Sequence, residues 1–133
     1  MLAKYILYKE NLNFVLISDK GIIKSAERGI LPIYKTILES KDYFQAASIA
    51  DRVIGNAAAI LLAYAGIKEL YSDLISQSAL EILRARGILV SYAEMTEKIL
   101  NQDKTGLCPM EKLSIDIPSP ILLIERISDF LAK

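Results

Sequence analysis

A chain of 133 residues, 53% of them hydrophobic, is predicted to form one domain over residues 1–133, because this length can bury a single apolar core. Its 16 basic and 16 acidic residues balance, which argues against nucleic-acid binding, and no apolar run approaches the roughly 20 residues of a membrane-spanning helix. With no histidine and one cysteine, one chain cannot build a Cys/His zinc site, a Ser-His-Asp triad, a Cys-His pair or an internal disulfide.

The N-terminal segment, MLAKYILYKENLN, carries charges on both sides of a short apolar stretch. It lacks the small-residue cleavage site of a signal peptide. We therefore expect a soluble, cytoplasmic protein with neither a nucleic-acid nor a membrane partner. We also expect no bound metal and no other cofactor.

The first predicted elements are a hairpin and a helix. Residues 14–18 (FVLIS) and 21–27 (GIIKSAE) are β-branched runs separated by a turn at Asp19-Lys20-Gly21, which is typical of a hairpin. Residues 30–40 (ILPIYKTILES) are predicted to form a helix that begins near Pro32, since proline suits a first helical turn.

The strongest helical signal lies in residues 51–66, DRVIGNAAAILLAYAG. Alanine favours helices, Asp51 can cap the N-terminus, and Gly66 can end the helix in a left-handed conformation. The segment is apolar on almost every face after Asn56, which predicts a largely buried helix.

A strand and a helix follow. Residues 68–75 (KELYSDLI) are predicted to be a strand, and residues 76–87 (SQSALEILRARG) a helix. Either Ser76 or Ser78 can cap this helix. The choice of Ser78 would form a capping box with Glu81.

Residues 88–94 (ILVSYAE) are the next predicted strand, followed by a short helix over 95–102 (MTEKILNQ). Residues 119–133 are predicted to close the chain as a helix capped by Ser119, with Pro120 at its first position. Two strands joined by a helix should lie parallel with a right-handed crossover. The order predicts an α/β fold of three layers, α/β/α, with an N-terminal hairpin in a mixed sheet.

The segment TGLCPMEK, residues 105–112, holds the one cysteine. It reads as a helix start, with Cys108 as N-cap, Pro109 first and Glu111 third. A helix N-terminus lowers the pKa of a thiol, whereas a nearby glutamate opposes that effect. The sequence is compatible both with a reactive Cys108 and with a buried, inert Cys108.

This order of elements resembles the cytidine deaminase-like fold, in which H-x-E or C-x-E begins one helix and P-C-x-x-C begins the next. The corresponding starts here read IGNAAA (54–59) and LISQSA (74–79). Asn56 stands in place of the first zinc ligand, and no glutamate lies near it. The resemblance therefore implies the fold without the zinc reaction.

Two segments together, D-x-V-x-G-x-A-A-A at 51–59 and G-x-C-P-x-E at 106–111, are similar to those of a small uncharacterised prokaryotic family of that superfamily. The resemblance implies a zinc-independent protein of unknown function. It also implies that the helix starts near Asp51 and Ser76 adjoin and line a pocket.

Free N–H groups and the positive dipole end make a helix start suitable for an anion. We therefore expect a small anionic ligand, either a nucleotide or a phosphorylated metabolite, with the segment Gly106–Glu111 lying over it. The predicted ligand-binding residues are Gly55, Asn56, Ala57, Asp73, Ser76, Ser78 and Gly106.

Two other functions stay open. An enzyme could use Cys108 as a nucleophile or redox thiol, and the residues predicted to act in catalysis are then Cys108, Glu111 and Asp51. A non-catalytic module could instead act as a homodimer through exposed strand edges. The sequence does not decide whether the protein is an enzyme.

Overall fold

The computed structural model describes residues 1–100, 109–114 and 119–132, and within 109–114 the side chains of Pro109, Lys112 and Ser114. The strands are β1 (Phe14–Ser18), β2 (Gly21–Ser25), β3 (Ser48–Ile54), β4 (Glu69–Ser76) and β5 (Leu89–Thr96). The helices are α1 (Leu2–Lys9), α2 (Leu31–Ser40), α3 (Asn56–Ala65), α4 (Gln77–Ala85), α5 (Pro109–Ser114) and α6 (Pro120–Leu131), with a 3₁₀ turn over Lys41–Phe44.

The five strands form one mixed sheet in the order β2-β1-β3-β4-β5. Strand β1 runs antiparallel to both β2 and β3, whereas β3, β4 and β5 are parallel. The N-terminal hairpin and the parallel pairing of β4 with β5 were both predicted, and both are confirmed.

Helices cover both faces of the sheet, so the predicted three-layer α/β/α arrangement is confirmed. On one face, the larger core joins Phe14, Leu16 and Ile49 of the sheet to apolar residues of α2, α3, α4 and α6. On the other face, Ala3 and Leu7 of α1 pack in a smaller core, whose strand residues are Val15, Ala50 and Tyr71. Alternate strand residues face opposite layers, which is why two neighbours such as Ile49 and Ala50 belong to different cores.

The prediction of a helix over 51–66 is wrong in its first part. Residues 51–54 belong to β3, and α3 begins at Asn56 after an extended Gly55 at the N-cap. Asp51 is therefore a strand residue and not a helix cap. Strand β3 is hydrogen-bonded between β1 and β4, and these pairings outweigh the helical signal of the alanine-rich run that follows.

The helix predicted over 95–102 is also wrong where the chain is described. Residues 95 and 96 continue β5 opposite the end of β4, and residues 97–100 are not helical. Residues 101–102 lie outside the described part. Conversely, sequence reasoning assigned no helix to Leu2–Lys9, which forms α1 by packing Ala3 and Leu7, one turn apart, onto the sheet.

Several helix ends agree with the prediction. Gly66 ends α3 with a left-handed backbone, φ 83°. Ser119 caps α6 through its side chain, and Pro120 is the first helical residue. Within the described residues, no helix has both the length and the apolar character needed to cross a membrane.

Candidate functional site

The site lies where β3 and β4 both break their alternation of faces. Ile49 and Ile54 belong to the same core although an odd number of positions separates them, and so do Leu70 and Ile75. Regular strands would turn such residues to opposite faces. Asp51 is the register partner of Ser72 just before the break, so the break lies beside a carboxyl group.

Asp51 is buried, with 3% of its surface exposed. Its Oδ1 accepts a long hydrogen bond of 3.4 Å from the backbone N–H of Val53. Its Oδ2 has no hydrogen-bond partner among the described residues. Buried polar atoms of native proteins almost always have a partner, so an oxygen without one among the described residues is unusual.

Burial raises the pKa of Asp51 well above its usual value, because desolvation disfavours the charged form. Hydrogen bonds from the backbone N–H groups of Val53 and Arg52 oppose this effect. The charge of Asp73 raises the pKa further, and the charge of Arg52 lowers it. Burial is the largest of these effects, so the net shift of the Asp51 pKa is upward.

A cleft of about 210 Å³ adjoins this carboxyl group. Its walls are formed by the residue before β1, the connection between β2 and α2, and the end of β3, namely Asn13, Arg28, Gly29, Asp51, Arg52 and Val53. Arg28 is exposed and makes no ion pair with any other described residue. The cleft thus combines an exposed guanidinium with a buried carboxyl group.

Helix α2 starts directly beyond Arg28 and Gly29. Its N-cap is Ile30, and no side chain caps its first turn. A helix start without a side-chain cap leaves N–H groups available and carries a partial positive charge. This partial positive charge follows Arg28 and Gly29 of the cleft directly in the sequence.

Arg52 lines the cleft, but its guanidinium bonds to Asp73 and to the end of α1 on the opposite face of the sheet. Arg52 Nη1 lies 3.1 Å from Asp73 Oδ2, and its other nitrogens donate to the carbonyl oxygens of Leu12 (2.9 Å) and Leu7 (3.3 Å). Arg52 therefore links the end of α1 to the sheet.

The hydroxyl groups of Tyr8 and Tyr71 both donate to Asp73 Oδ1, the second at 2.8 Å. Burial by itself would raise the pKa of Asp73, but the hydrogen bonds from the two tyrosines and from Arg52 lower it. Burial, the Tyr8 hydrogen bond and Asp73 together raise the pKa of Tyr71. Asp73, a predicted ligand-binding residue, thus already has protein partners on the α1 face.

The two predicted helix starts follow adjacent parallel strands, because Ile54 and Ile75 are register partners. At the start of α3, Gly55 is half-buried, Ala57 is buried, and Asn56 Nδ2 donates to Ser114 Oγ at 3.0 Å. Helix α5, which ends at Ser114, therefore packs against this start.

At the start of α4, Ser76 Oγ accepts from the N–H of Ala79 at 3.2 Å, so Ser76 is the cap. Ser78 is exposed, and its hydroxyl lies 3.4 Å from that of Ser76. The capping-box alternative, with Ser78 as the cap, is wrong.

The described residues do not test the remaining site predictions. Gly106 and Cys108 lie outside the described residues, as does the side chain of Glu111. Their roles, like ligand binding at the two helix starts, stay predictions. In the part of the chain that is described, no three Asp, Glu, Cys or His side chains are grouped so as to hold a metal ion.

Sequence reasoning missed Asn13, Arg28 and Gly29, which meet Asp51 only in the folded chain. One signal was available for Asp51 itself. Had residues 48–54 been assigned to a strand, a carboxylate at the centre of a buried run would have stood out. No comparable signal marked Arg28, because an arginine in a connection is ordinary.

A family model described as "TM1506: Domain of unknown function (DUF1893)" matches residues 2–131. The crystal structure of a DUF1893 family protein (TM1506) from Thermotoga maritima is similar, with a TM-score of 0.83 and 25% sequence identity. The match covers 95% of this chain and 85% of that chain. No curated protein matches the sequence. Neither description names the deaminase-like superfamily, so that part of the resemblance stays a prediction.

Proposed function

The chain belongs to the DUF1893 family, whose description states no function, and we propose that it binds a small anionic metabolite in the cleft beside Asp51. One observation carries the proposal. The cleft wall holds the buried carboxyl group of Asp51, whose Oδ2 has no partner among the described residues, and the exposed guanidinium of Arg28, which forms no ion pair with them. Unsatisfied polar groups converging on one concave surface are the usual mark of a binding site.

The anionic group of the ligand binds near Arg28 and the start of α2. A guanidinium offers several N–H donors in a fixed plane that suits phosphate and carboxylate. The positive end of the α2 dipole adds to this attraction. The sequence predicted anion binding at the starts of α3 and α4. The proposed site adds the start of α2, which lies at the same end of the sheet.

The volume of the cleft favours a small metabolite over a whole nucleotide. Pockets that enclose drug-sized ligands have volumes of roughly 300–1,000 Å³. The cleft offers about 210 Å³. A phosphorylated or carboxylated compound of a few carbon atoms fits this space.

The two other predicted functions stay predictions. Thiol chemistry at Cys108 rests on a residue outside the described part of the chain, and alkylation of the thiol across pH tests it. Dimerisation is supported by β5, an edge strand that leaves Leu89, Tyr92 and Met95 exposed. Light scattering tests it directly.

Thermal denaturation with phosphate, ethyl phosphate, glycerol phosphate and propionate tests the proposal. A ligand at 100 times its Kd should raise the free energy of unfolding by about 2.7 kcal/mol. Arg28→Ala should remove the stabilisation, whereas Arg126→Ala, on the exposed face of α6, should retain it. Stabilisation by none of these anions, or an equal response of both variants, would contradict the proposal.

A further inference from the structure

The buried carboxyl group of Asp51 has no use in binding an anion through Arg28 alone. A carboxylate is only an acceptor of hydrogen bonds, and phosphate and carboxylate ligands also present mainly acceptors. An anion next to Asp51 would leave Oδ2 as unsatisfied as it is in the free chain. A donor on the ligand would give Oδ2 the partner that the described residues do not provide.

From this geometry, and resting on the proposed function, we infer that the anionic ligand also carries an amine, which pairs with Asp51 Oδ2. The ligand class is then a short zwitterion, with its anionic group near Arg28 and its ammonium group against the β3 wall. An ammonium group has three N–H donors and supplies the charge that a buried carboxylate needs. The pair thus satisfies an atom for which the described chain provides nothing.

Two parts of the cleft wall belong to no helix or strand, namely Asn13 and the connection that holds Arg28 and Gly29. Oδ2 is shielded from solvent, so a ligand reaches it only when a wall residue moves. Arg28 and Gly29 lie in a connection, and both are exposed. Gly29 has a left-handed backbone, φ 72°, and among the described residues other than its two chain neighbours no heavy atom lies within 4 Å of the position that a Cβ would take. The space beside Gly29 is therefore open, and entry of the ligand on this side is part of the inference.

Matched ligands that differ by a single amine separate this inference from simple anion binding. Calorimetric titration of the full chain compares O-phosphoethanolamine with ethyl phosphate, and β-alanine with propionate. A hydrogen bond to a charged group contributes about 1.5–3 kcal/mol, so each amine should bind at least roughly tenfold more tightly than its partner.

Asp51→Asn should abolish the preference for the amine, so that each amine and its amine-free partner bind with equal affinity. Asp129→Asn, which changes an exposed carboxylate on α6, should retain the preference. Equal affinities within both pairs, expected if a protonated Asp51 donates to the anion, would overturn the inference and leave the proposed function standing. Binding of neither pair would overturn it as well, and failure of phosphate and glycerol phosphate too would remove the proposed function.

Discussion

Asp51 combines three properties at one position: it lies in a central strand, it is buried, and one of its oxygens has no partner among the described residues. An unpaired buried polar atom costs about 1–3 kcal/mol of stability. The break in alternation of β3 and β4 begins just after Asp51 and its register partner Ser72. Local cost of this kind tends to collect at binding sites, which agrees with the proposed role.

The first prediction concerns the pH dependence of stability. The pKa of Asp51 is raised in the folded chain, so its contribution is complete below the usual value of about 4 and is lost as pH rises through the folded pKa. We expect the free energy of unfolding in urea to decline over this range in the wild type. In Asp51→Asn the decline should be reduced, because the neutral amide has no proton to lose.

Asp129→Asn is the control and should follow the wild type. Asp73 does not contribute to this decline in stability. Its pKa is lowered in the folded chain, so its contribution to stability is lost only as pH falls below the pKa of an ordinary aspartate. Parallel pH profiles for the wild type and Asp51→Asn would show that Asp51 does not retain its proton in the folded chain.

At the scale of elements, the start of α4 shows how strand length decides which residue caps a helix. Ser76 and Ser78 were both eligible caps for α4, and the structure selects Ser76. Strand β4 continues through Ser76 and pairs with Thr96, so the backbone becomes helical only at Gln77. The length of the strand thus decides which serine faces the free N–H groups.

We predict that Ser76→Ala lowers the free energy of unfolding by about 1 kcal/mol, because the N–H of Ala79 loses its acceptor. Ser78→Ala removes the same hydroxyl from an exposed position and should change stability by less than about 0.5 kcal/mol. Urea denaturation of the two variants makes the comparison. Equal losses would mean that the cap is shared between the two serines.

At the scale of the whole molecule, Arg52 links the layer formed by helix α1 to the sheet. Its guanidinium bonds to Asp73 in the sheet and to the carbonyl oxygens of Leu7 and Leu12 at the end of α1. Helix α1 has only eight residues and would not be stable alone. Its position therefore depends on the small core around Ala3 and Leu7 and on this arginine.

Arg52→Ala should destabilise the protein by about 2 kcal/mol, since hydrogen bonds to charged groups are lost in a partly buried place. The Arg52 and Asp73 side chains are 24% and 30% exposed, whereas Lys24 and Glu10 form an ion pair with 42% and 43% exposure. Lys24→Ala should cost less than about 1 kcal/mol. Hydrogen exchange should locate the loss in α1, and similar losses in both variants would contradict this account.

The sequence by itself determined the elements whose signals are local. The hairpin, the helices over 31–40, 77–85 and 120–131, and the parallel strands β4 and β5 follow from β-branched runs, caps and turn residues. These features depend on neighbours a few positions apart, so the order of residues is sufficient to predict them.

Strand β3, helix α1 and the cleft beside Asp51 were decided only by the tertiary structure. Strand β3 exists because β1 and β4 hydrogen-bond to it, and α1 exists because the sheet offers a surface to Ala3 and Leu7. The cleft depends on pairing of the same kind, which brings Asp51 opposite Phe14 and near Arg28. Contacts between distant segments form only when the whole chain is packed, and no local pattern encodes which buried oxygen is left without a partner.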